Sequence, residues 1–304
     1  MDIDDLERAA LVALLQRSNV RWSRIASDIL DRGSALELLH DHVSSTEGLF
    51  PSASVEELLA TAQQQIHAWA RDGISVHAFF DPQYPSQLRD IREMPPILFS
   101  SGTLQEDTRA IAVVGTREAT EEGLHIASAV ASELASNEVT VVSGLARGID
   151  TASHRAALAS SGRTVAVIGT GLQRHYPPEN RQLQNEIAAK GLVISQFLPD
   201  SPPTKQSFPM RNAVMSGYAA ATVVVEAGAR SGARIQARLA LEHGRPVVMP
   251  EQLLKHDWAL DFASRPGVTV VANLAELLST VESLIQTTAA VPEILSRLPS
   301  VAGV

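Results

Sequence analysis

The sequence predicts an α/β fold, a doubly wound and mostly parallel sheet with a small helical domain at its N-terminal end. The main observation is a series of short, continuous apolar runs rich in β-branched residues, typical of strands buried on both faces. Segments with helical spacing, such as residues 121–136, 151–160 and 231–243, separate these runs, and such alternation indicates a parallel sheet. The predicted strands cover residues 111–114, 139–142, 165–168, 192–194, 222–225, 247–249 and 268–271.

The composition supports a large buried core and excludes several kinds of chemistry. Of the 304 residues, 45% are hydrophobic and 19% are charged, which excludes a wholly disordered chain. Cysteine is absent, so disulfides, thiolate zinc sites, iron–sulfur clusters and a cysteine nucleophile are excluded. The formal net charge is −9, whereas proteins that coat nucleic acid are usually basic. A nucleic-acid site would therefore have to be a local basic pocket.

Membrane and export signals are absent from the sequence. No apolar stretch approaches the ~18 residues of a membrane span. The N-terminal residues lack the positive end and the apolar run of a signal peptide. We therefore expect a cytoplasmic protein with no membrane partner.

The periodicity changes from purely helical to strand–helix alternation near residue 75, which divides the chain. We predict a helical N-terminal module at residues 1–75, an α/β domain at 76–288 and a peripheral tail at 289–304. In the module, Ser54 is the expected N-cap of a helix that ends at Asp72 and Gly73. Residues 40–54 are polar and are predicted to form a loop. No polar cluster in the module indicates chemistry.

Glycine and hydroxyl residues follow four of the predicted strands. Ligands of doubly wound sheets bind at the carboxyl ends of the strands, where glycine lets backbone N–H groups approach and each helix presents a positive N-terminus. One such loop is common at ordinary turns, but four at one sheet edge, three of them with arginine, indicate a phosphate site. The residues are Gly115, Thr116 and Arg117; Ser143, Gly144 and Arg147; Gly169 and Thr170; and Ser231 and Gly232 beside Arg230.

These loops match neither of the common nucleotide-binding motifs. None has the G-x-G-x-x-G pattern of dinucleotide-binding proteins, and none carries the Gly-Lys-Ser/Thr of a Walker A loop. We therefore expect a phosphate-binding site that takes no cofactor.

The proline-rich segment 202–212 is predicted to be a loop leading into a helix near Asn212. Lys205 and Arg211 would bind phosphate in this loop, and Phe208 would stack on a base. Basic side chains combined with an aromatic ring are typical of single-stranded nucleic-acid binding. The alternative is a plain crossover whose Phe208 packs on the core.

No catalytic or metal site emerges from the sequence. Asp150 and His154 lie four residues apart on one predicted helix near Ser143, but residues on one helix face cannot surround a substrate, and no nucleophile-elbow motif is present. We predict that His154 is a core or capping residue and that Asp150 accepts N–H groups at the helix N-terminus. The histidines show no metal-ligand spacing, so we expect neither an enzyme nor a metal site.

At these residues the sequence resembles the DNA-processing protein DprA family, also called Smf. Order and spacing agree from about residue 76 to residue 250, and each motif alone is weak while the combination is specific. The motifs are Tyr84-Pro85, PPILF at 95–99, VVGTR at 113–117, SGLARGID at 143–150 with His154, GTGL at 169–172 before Tyr176-Pro177, FPMRN at 208–212, VVEA at 224–227 and Ser231-Gly232.

The resemblance implies an extended Rossmann-like domain that binds single-stranded DNA. It also implies a homodimer that protects incoming DNA and loads the RecA recombinase onto it during natural transformation, in competence and recombination. By position, the resemblance assigns the DNA pocket to Arg117, Lys205, Phe208, Arg211 and Asn212, lined by Ser143, Gly144, Arg147, Ser231 and Gly232.

Three departures from the family pattern accompany the resemblance. Ala213 stands where the family usually has a second arginine, which would remove one phosphate contact. Gln196 follows Ser195 where a glutamate is usual. Pro250 is followed by Glu251 rather than glycine, and the segment beyond it differs. These departures are compatible with a specialised relative.

Two other functions remain open from the residues. A nucleotide-sensing or nucleotide-hydrolysing relative would need a carboxylate beside an arginine at a strand end, and Glu226 is the candidate. A structural interaction module would leave the four loops unexplained. For assembly, Leu239 and Leu241 point to different faces of one predicted helix, and burying both faces would require a partner, which agrees with the implied homodimer.

Overall fold

One mixed sheet runs through the part of the chain that a computed structural model describes, residues 3–17, 20–45, 53–229 and 231–297, with side chains as far as residue 288. Its strands are β1 (Ser75–Ala78), β2 (Ile97–Gly102), β3 (Ala110–Gly115), β4 (Thr140–Ser143), β5 (Thr164–Val167), β6 (Leu192–Ser195), β7 (Ala221–Glu226), β8 (Val247–Pro250) and β9 (Val268–Val271). They lie in the order β1-β2-β6-β5-β4-β3-β7-β8-β9.

Helices precede the sheet in the sequence and then cover both of its faces. In the described ranges they are α1 (Ile3–Leu15), α2 (Trp22–Arg32), α3 (Ala35–Ser44), α4 (Val55–Arg71), α5 (Glu121–Ser136), α6 (Ile149–Ala159), α7 (Arg181–Lys190), α8 (Ser207–Tyr218), α9 (Gly232–Glu242), α10 (Asp257–Ala263) and α11 (Leu274–Arg297). The doubly wound α/β prediction is confirmed.

The seven strands predicted from apolar runs are all present, and they pair in parallel with one another. Two further strands, β1 and β2, were not predicted. They extend the sheet beyond β6 in antiparallel pairing. Their short runs are not separated by a helix with the usual spacing, so the alternation that identifies a parallel sheet does not reveal them.

The central strand β3 shows why continuous apolar runs predict buried strands. Successive side chains of a strand point to opposite faces. Ala110, Ala112 and Val114 therefore join the hydrophobic cluster on one face of the sheet, whereas Ile111 and Val113 join the cluster on the other. Both faces of the sheet are shielded from solvent, which favours an unbroken apolar sequence over an alternation of apolar and polar residues.

The N-terminal helices agree with the prediction except in one loop. Ser54 caps α4 as predicted, in a capping box in which its hydroxyl accepts from the Glu57 N–H at 3.2 Å. The predicted loop at 40–54 is wrong in its first part, because α3 continues to Ser44; residues 46–52 lie outside the described residues. Arg8 of α1 donates to both carboxylate oxygens of Asp81 at 3.1 Å, which ties the helices to the sheet.

Two expectations concern the chain from α9 onward. Helix α11 runs without interruption past the boundary predicted at residue 288, while residues 298–304 lie outside the described residues; the division into domains stays a prediction. Leu239 is buried, and Leu241 packs against the core. Leu239 therefore needs no partner subunit to cover it, contrary to the expectation, whereas Leu241 is only partly buried; the homodimer stays a prediction. No described helix is long and apolar enough to cross a membrane.

Candidate nucleic-acid interface

The strand order creates a crevice between β3 and β7. From β3 the chain builds the sheet in one direction through β4, β5 and β6, and then returns to the other side of β3 with β7. The loops after β3 and β7 therefore diverge, and ligands of doubly wound sheets bind at this point. A cleft of about 470 Å³ opens there.

Most of the predicted site residues line this cleft or a smaller pocket of about 120 Å³ beside it. The cleft is lined by Gly115, Thr116, Arg117, Phe208, Arg211, Asn212, Ser231 and Gly232, among others. The pocket at the ends of β4 and β5 adds Gly144, Arg147, Gly169 and Thr170. Four residues line both cavities, Arg117, Ala146, Phe208 and Arg211, and the three with long side chains form the wall between them.

Two predicted residues do not line either cavity. Ser143 is fully buried, and its hydroxyl donates to the Val113 carbonyl at 2.7 Å, which joins two neighbouring strands instead of binding a ligand. Lys205 is exposed ahead of α8 and outside both linings. Arg230, which the sequence placed beside Ser231, lies outside the described residues.

Phe208 lies on a helix rather than in a loop, because α8 begins at Ser207 and not near Asn212. Its ring is half-buried, 5.2 Å from the Arg117 guanidinium carbon and 5.5 Å from the centre of the Tyr176 ring. Gly169 allows this position, because a Cβ there would lie 2.9 Å from the Phe208 ring. The ring therefore belongs to an aromatic and cationic cluster at the cavity wall, and the plain core packing considered from the sequence does not describe it.

Arg211 is a buried cation at the base of this wall. Its Nη1 donates to the Val167 carbonyl at 3.0 Å, while its Nε has no hydrogen-bond partner among the described residues. Burial lowers the pKa of Arg211; Asp150 opposes that shift, and repulsion from Arg117 adds to it. A Cβ at Gly144 would overlap the guanidinium, so the glycine in this strand-end loop makes room for the arginine.

Asp150 holds the loop that precedes α6. Its Oδ2 accepts from the Gly144 N–H at 3.1 Å and from the Ala146 N–H at 3.3 Å. The predicted capping role is therefore corrected: the N–H groups come from the loop, and Gly148 is the N-cap of the helix. Burial raises the pKa of the Asp150 carboxyl, against the attraction of Arg211.

The remaining cation of the small pocket, Arg147, is exposed and paired with Glu179. That hydrogen bond raises the pKa of Arg147. An exposed pair of this kind contributes little to stability, so a phosphate can replace the glutamate at low cost. Arg117 and Arg211 form no ion pair within the described residues.

The groups considered for catalysis are engaged elsewhere. Glu226 accepts from the Thr120 N–H at 3.0 Å and from its hydroxyl at 3.1 Å, and it lines neither cavity. His154 is fully buried with Nδ1 2.7 Å from the Thr164 hydroxyl, in agreement with the predicted core position. The described residues contain no group of acids and histidines arranged to hold a metal ion.

Tyr176 was missed as a site residue. It is 39% exposed, stacks at a tilt of 44° on Phe208 and lines the small pocket. Its place in a Tyr-Pro pair after the third glycine loop was a usable signal, but no periodicity connects that loop with α8. The contact exists because β5 and α8 meet at the same edge of the sheet.

Comparison with known proteins gives a consistent result. A family model described as DNA recombination-mediator protein A matches residues 75–289. Protein Smf of Synechocystis sp. is 42% identical over 172 residues, which are 55% of this chain and 43% of that protein. DNA processing protein DprA of Bacillus subtilis is 37% identical over 195 residues, 64% of this chain and 66% of that protein. The matches thus span about half to two thirds of these relatives.

Two solved structures are similar over most of their length. The X-ray structure of DprA from Streptococcus pneumoniae has a TM-score of 0.69 and 28% identity, and the match covers 90% of this chain and 97% of that one. DNA processing protein A from Helicobacter pylori, which is described with a single-stranded DNA binding mode, has a TM-score of 0.62 and 25% identity. The match covers 70% of this chain and 96% of that one.

Proposed function

This chain belongs to the DNA recombination-mediator protein A family, and on that premise we propose that it binds single-stranded DNA in the cleft between β3 and β7. The observation that carries the proposal is the wall formed by Phe208, Arg117 and Arg211, in which the aromatic ring contacts Arg117. Neither arginine forms an ion pair among the described residues, although the charge of Asp150 attracts Arg211. Stacking on a ring and charge attraction to the backbone are the two interactions that hold single strands without sequence preference.

Mutual repulsion of the two arginines supports an anionic ligand. Burial lowers the pKa of Arg211 most, Asp150 opposes that shift, and the positive charge of Arg117 lowers the pKa further. A phosphate between them would remove that repulsion and satisfy the free Nε of Arg211. Helix N-termini at Ser207 and Ser231 add partial positive charge at the same edge. The small pocket, lined by Arg117, Arg147 and Arg211 with no acidic residue, is therefore a local cationic site on a protein of net charge −9. The lining of the cleft itself also includes Glu118 and Asp150.

The support for a wider role is the family, whose model is described as a DNA recombination-mediator protein. We propose that the bound strand is passed to the RecA recombinase during natural transformation, in the cytoplasm, and that the protein acts as a homodimer. Shortening of the lag before RecA assembles on an oligonucleotide would support this role. An unchanged lag with a protein that binds the same oligonucleotide would contradict it.

We further propose that the cleft binds without catalytic turnover. The engagement of Glu226 with Thr120 supports this, since the carboxylate suggested for a nucleotide hydrolase is held outside the cleft. The competing function is a nucleotide sensor or hydrolase, and its signature would be binding of free nucleotides or release of product.

One titration separates these functions. Fluorescence anisotropy would follow labelled oligo(dT) and free nucleotides over a range of salt concentrations, with chromatography to detect product. We expect tight oligo(dT) binding without product. Arg117→Ala should weaken binding and lower the salt slope by about 0.7, the share of one phosphate on a single strand. Arg24→Ala, which removes an exposed arginine of α2, is the matched control. Wild-type affinity and slope in Arg117→Ala would show that the site lies elsewhere.

A further inference from the structure

A second groove of about 350 Å³ lies beside the cleft, between α9 and α10. It is lined by three arginines and two aromatic side chains, which none of the strand-end motifs includes. These are Arg234 and Arg238 of α9, Trp258 and Phe262 of α10, and Arg265 just after α10.

Arginine and aromatic groups alternate in this groove at contact distance. The Arg234 guanidinium carbon lies 5.3 Å from the centre of the Trp258 ring, and that of Arg265 lies 5.0 Å from Phe262. The indole Nε1 of Trp258 donates to the Ala227 carbonyl at 3.1 Å, which fixes the ring at the end of β7. Trp258 is half-buried, so part of it faces solvent in a fixed orientation.

The charge of the groove is positive and available. Arg238 pairs with Glu242 at 2.8 Å and Arg265 with Asp261 at 3.0 Å, both as exposed i,i+4 pairs. Such exposed pairs contribute little to stability, so a phosphate can displace the carboxylate. Arg234 forms no ion pair in the described part of the chain.

The groove is continuous with the cleft. Ser231 and Ile235 line both cavities, and with Arg234 and Arg238 they lie on one face of α9. From residue 231 to residue 238 the helix rises about 10 Å. At about 3.4 Å per stacked nucleotide, this distance corresponds to roughly three nucleotides.

We propose that this groove, defined by Arg234, Arg238, Trp258, Phe262 and Arg265, is a second subsite for single-stranded DNA that holds about three nucleotides of a strand leaving the cleft. The inference rests on the proposed function, because it continues the same strand. Trp258 stacks on a base, while Arg234 and Arg238 bind backbone phosphates along α9.

Oligo(dT) of graded length tests the subsite. Lengths from about four to about twenty nucleotides bracket the usual site sizes. For the wild type, affinity should rise again once the strand is about three nucleotides longer than the cleft holds. Trp258→Ala should remove that rise and weaken binding of long strands about five- to a hundredfold, with short strands bound as in the wild type. Arg234→Ala should lower the salt slope for long strands alone, and Arg24→Ala is the control.

A second variant and a second measurement test the subsite even if Trp258→Ala fails to fold. Long oligo(dT) should quench the tryptophan fluorescence of the wild type, and Trp258→Phe, which keeps a ring at the site, should lose that quenching while it still binds. Equal affinities of the wild type, Trp258→Ala and Arg234→Ala at every length, or undiminished quenching in Trp258→Phe, would overturn the subsite alone. Failure of the wild type to bind oligo(dT) of any length would overturn the proposed function together with it.

Discussion

Phe208 is the residue at which stacking and packing compete. Its ring contacts Arg117 and Tyr176 and is half-buried, so truncation should cost less than the about 3–5 kcal/mol of a core phenylalanine. We expect Phe208→Ala to lower oligo(dT) affinity by about 1–3 kcal/mol with an unchanged salt slope, since stacking carries no charge. Anisotropy titrations measure the affinity, and thermal unfolding checks the fold.

Lys205 provides the contrasting case in the same segment. It is exposed and outside the cavity linings, so Lys205→Ala should leave stability unchanged. If Lys205 contacts the strand, its loss should lower the salt slope of oligo(dT) binding.

Two outcomes for Phe208→Ala would contradict the stacking role of Phe208. A large drop in melting temperature would support core packing instead, and native melting with full affinity would contradict both roles of that ring.

Gly144 controls the position of the buried arginine. In Gly144→Ala the new Cβ would overlap the Arg211 guanidinium, which would have to give up its bond to the Val167 carbonyl. We expect a loss of about 1–3 kcal/mol in the free energy of unfolding together with weaker DNA binding. Gly232→Ala, where no atom lies within 4 Å of the added Cβ, is the stability control. Wild-type melting and affinity in Gly144→Ala would refute the close approach.

At the scale of elements, a buried polar network joins strand ends at the edge of the sheet opposite the cleft. Asp107, before β3, accepts from Arg163 at 2.7 and 2.8 Å, from Thr140 at 2.9 Å and from Tyr218 at 2.6 Å. Burial alone would raise the pKa of Asp107, but the hydrogen bonds from Arg163 and Tyr218 outweigh burial and lower it. The network thus ties β4, β5 and α8 to the start of β3.

Removal of this carboxylate should destabilise the sheet without reaching the cleft. Asp107→Ala leaves Arg163 largely buried and unpaired, which we expect to cost about 3–5 kcal/mol in urea unfolding. Asp261→Ala, which breaks an exposed i,i+4 pair, should change the free energy of unfolding by no more than about 0.5 kcal/mol. Equal midpoints for the two variants would show that the network contributes little.

The burial of His154 between α6 and β5 predicts that the stability of the fold depends on pH. Burial, and then the charge of Arg211, lower the pKa of His154 to about 3. The unfolded chain binds this proton near pH 6.5 and the folded one does not, so stability is present above about pH 6.5 and is lost as the pH falls toward 3. The expected slope is about 1.4 kcal/mol per pH unit.

His154→Gln isolates this proton. The variant cannot titrate at residue 154, so its unfolding free energy should fall less steeply between about pH 6 and pH 4 than that of the wild type, by about one proton. Urea unfolding at several pH values measures both slopes. Parallel curves would mean that His154 is protonated in the folded state as well.

For the whole molecule, the proposed homodimer is the testable assembly. Its support is the family resemblance, since Leu239 is buried within the chain and Leu241 is partly buried against its core. Light scattering well above micromolar concentration should give twice the chain mass of 32.5 kDa. A mass that stays at one chain under those conditions would contradict the dimer.

The sequence by itself determined the seven parallel strands, the position of the candidate site at their carboxyl ends and the family. Hydrophobic runs and glycine-rich loops are local properties, and the right-handed alternation of strand and helix places such loops at one edge. The pattern of residues 113–117 and 143–150 therefore identified the cleft before any contact was known.

The tertiary structure decided which side chains of those loops face the cleft and the small pocket. Ser143 turns to Val113 because a hydroxyl on a buried strand needs a hydrogen-bond partner, and Glu226 turns to Thr120 for the same reason. Tyr176 reaches Phe208, and Trp258 reaches Arg234, across elements far apart in sequence. These contacts cannot be predicted from local periodicity, because they depend on how strand register and helix packing bring distant loops to one edge of the sheet.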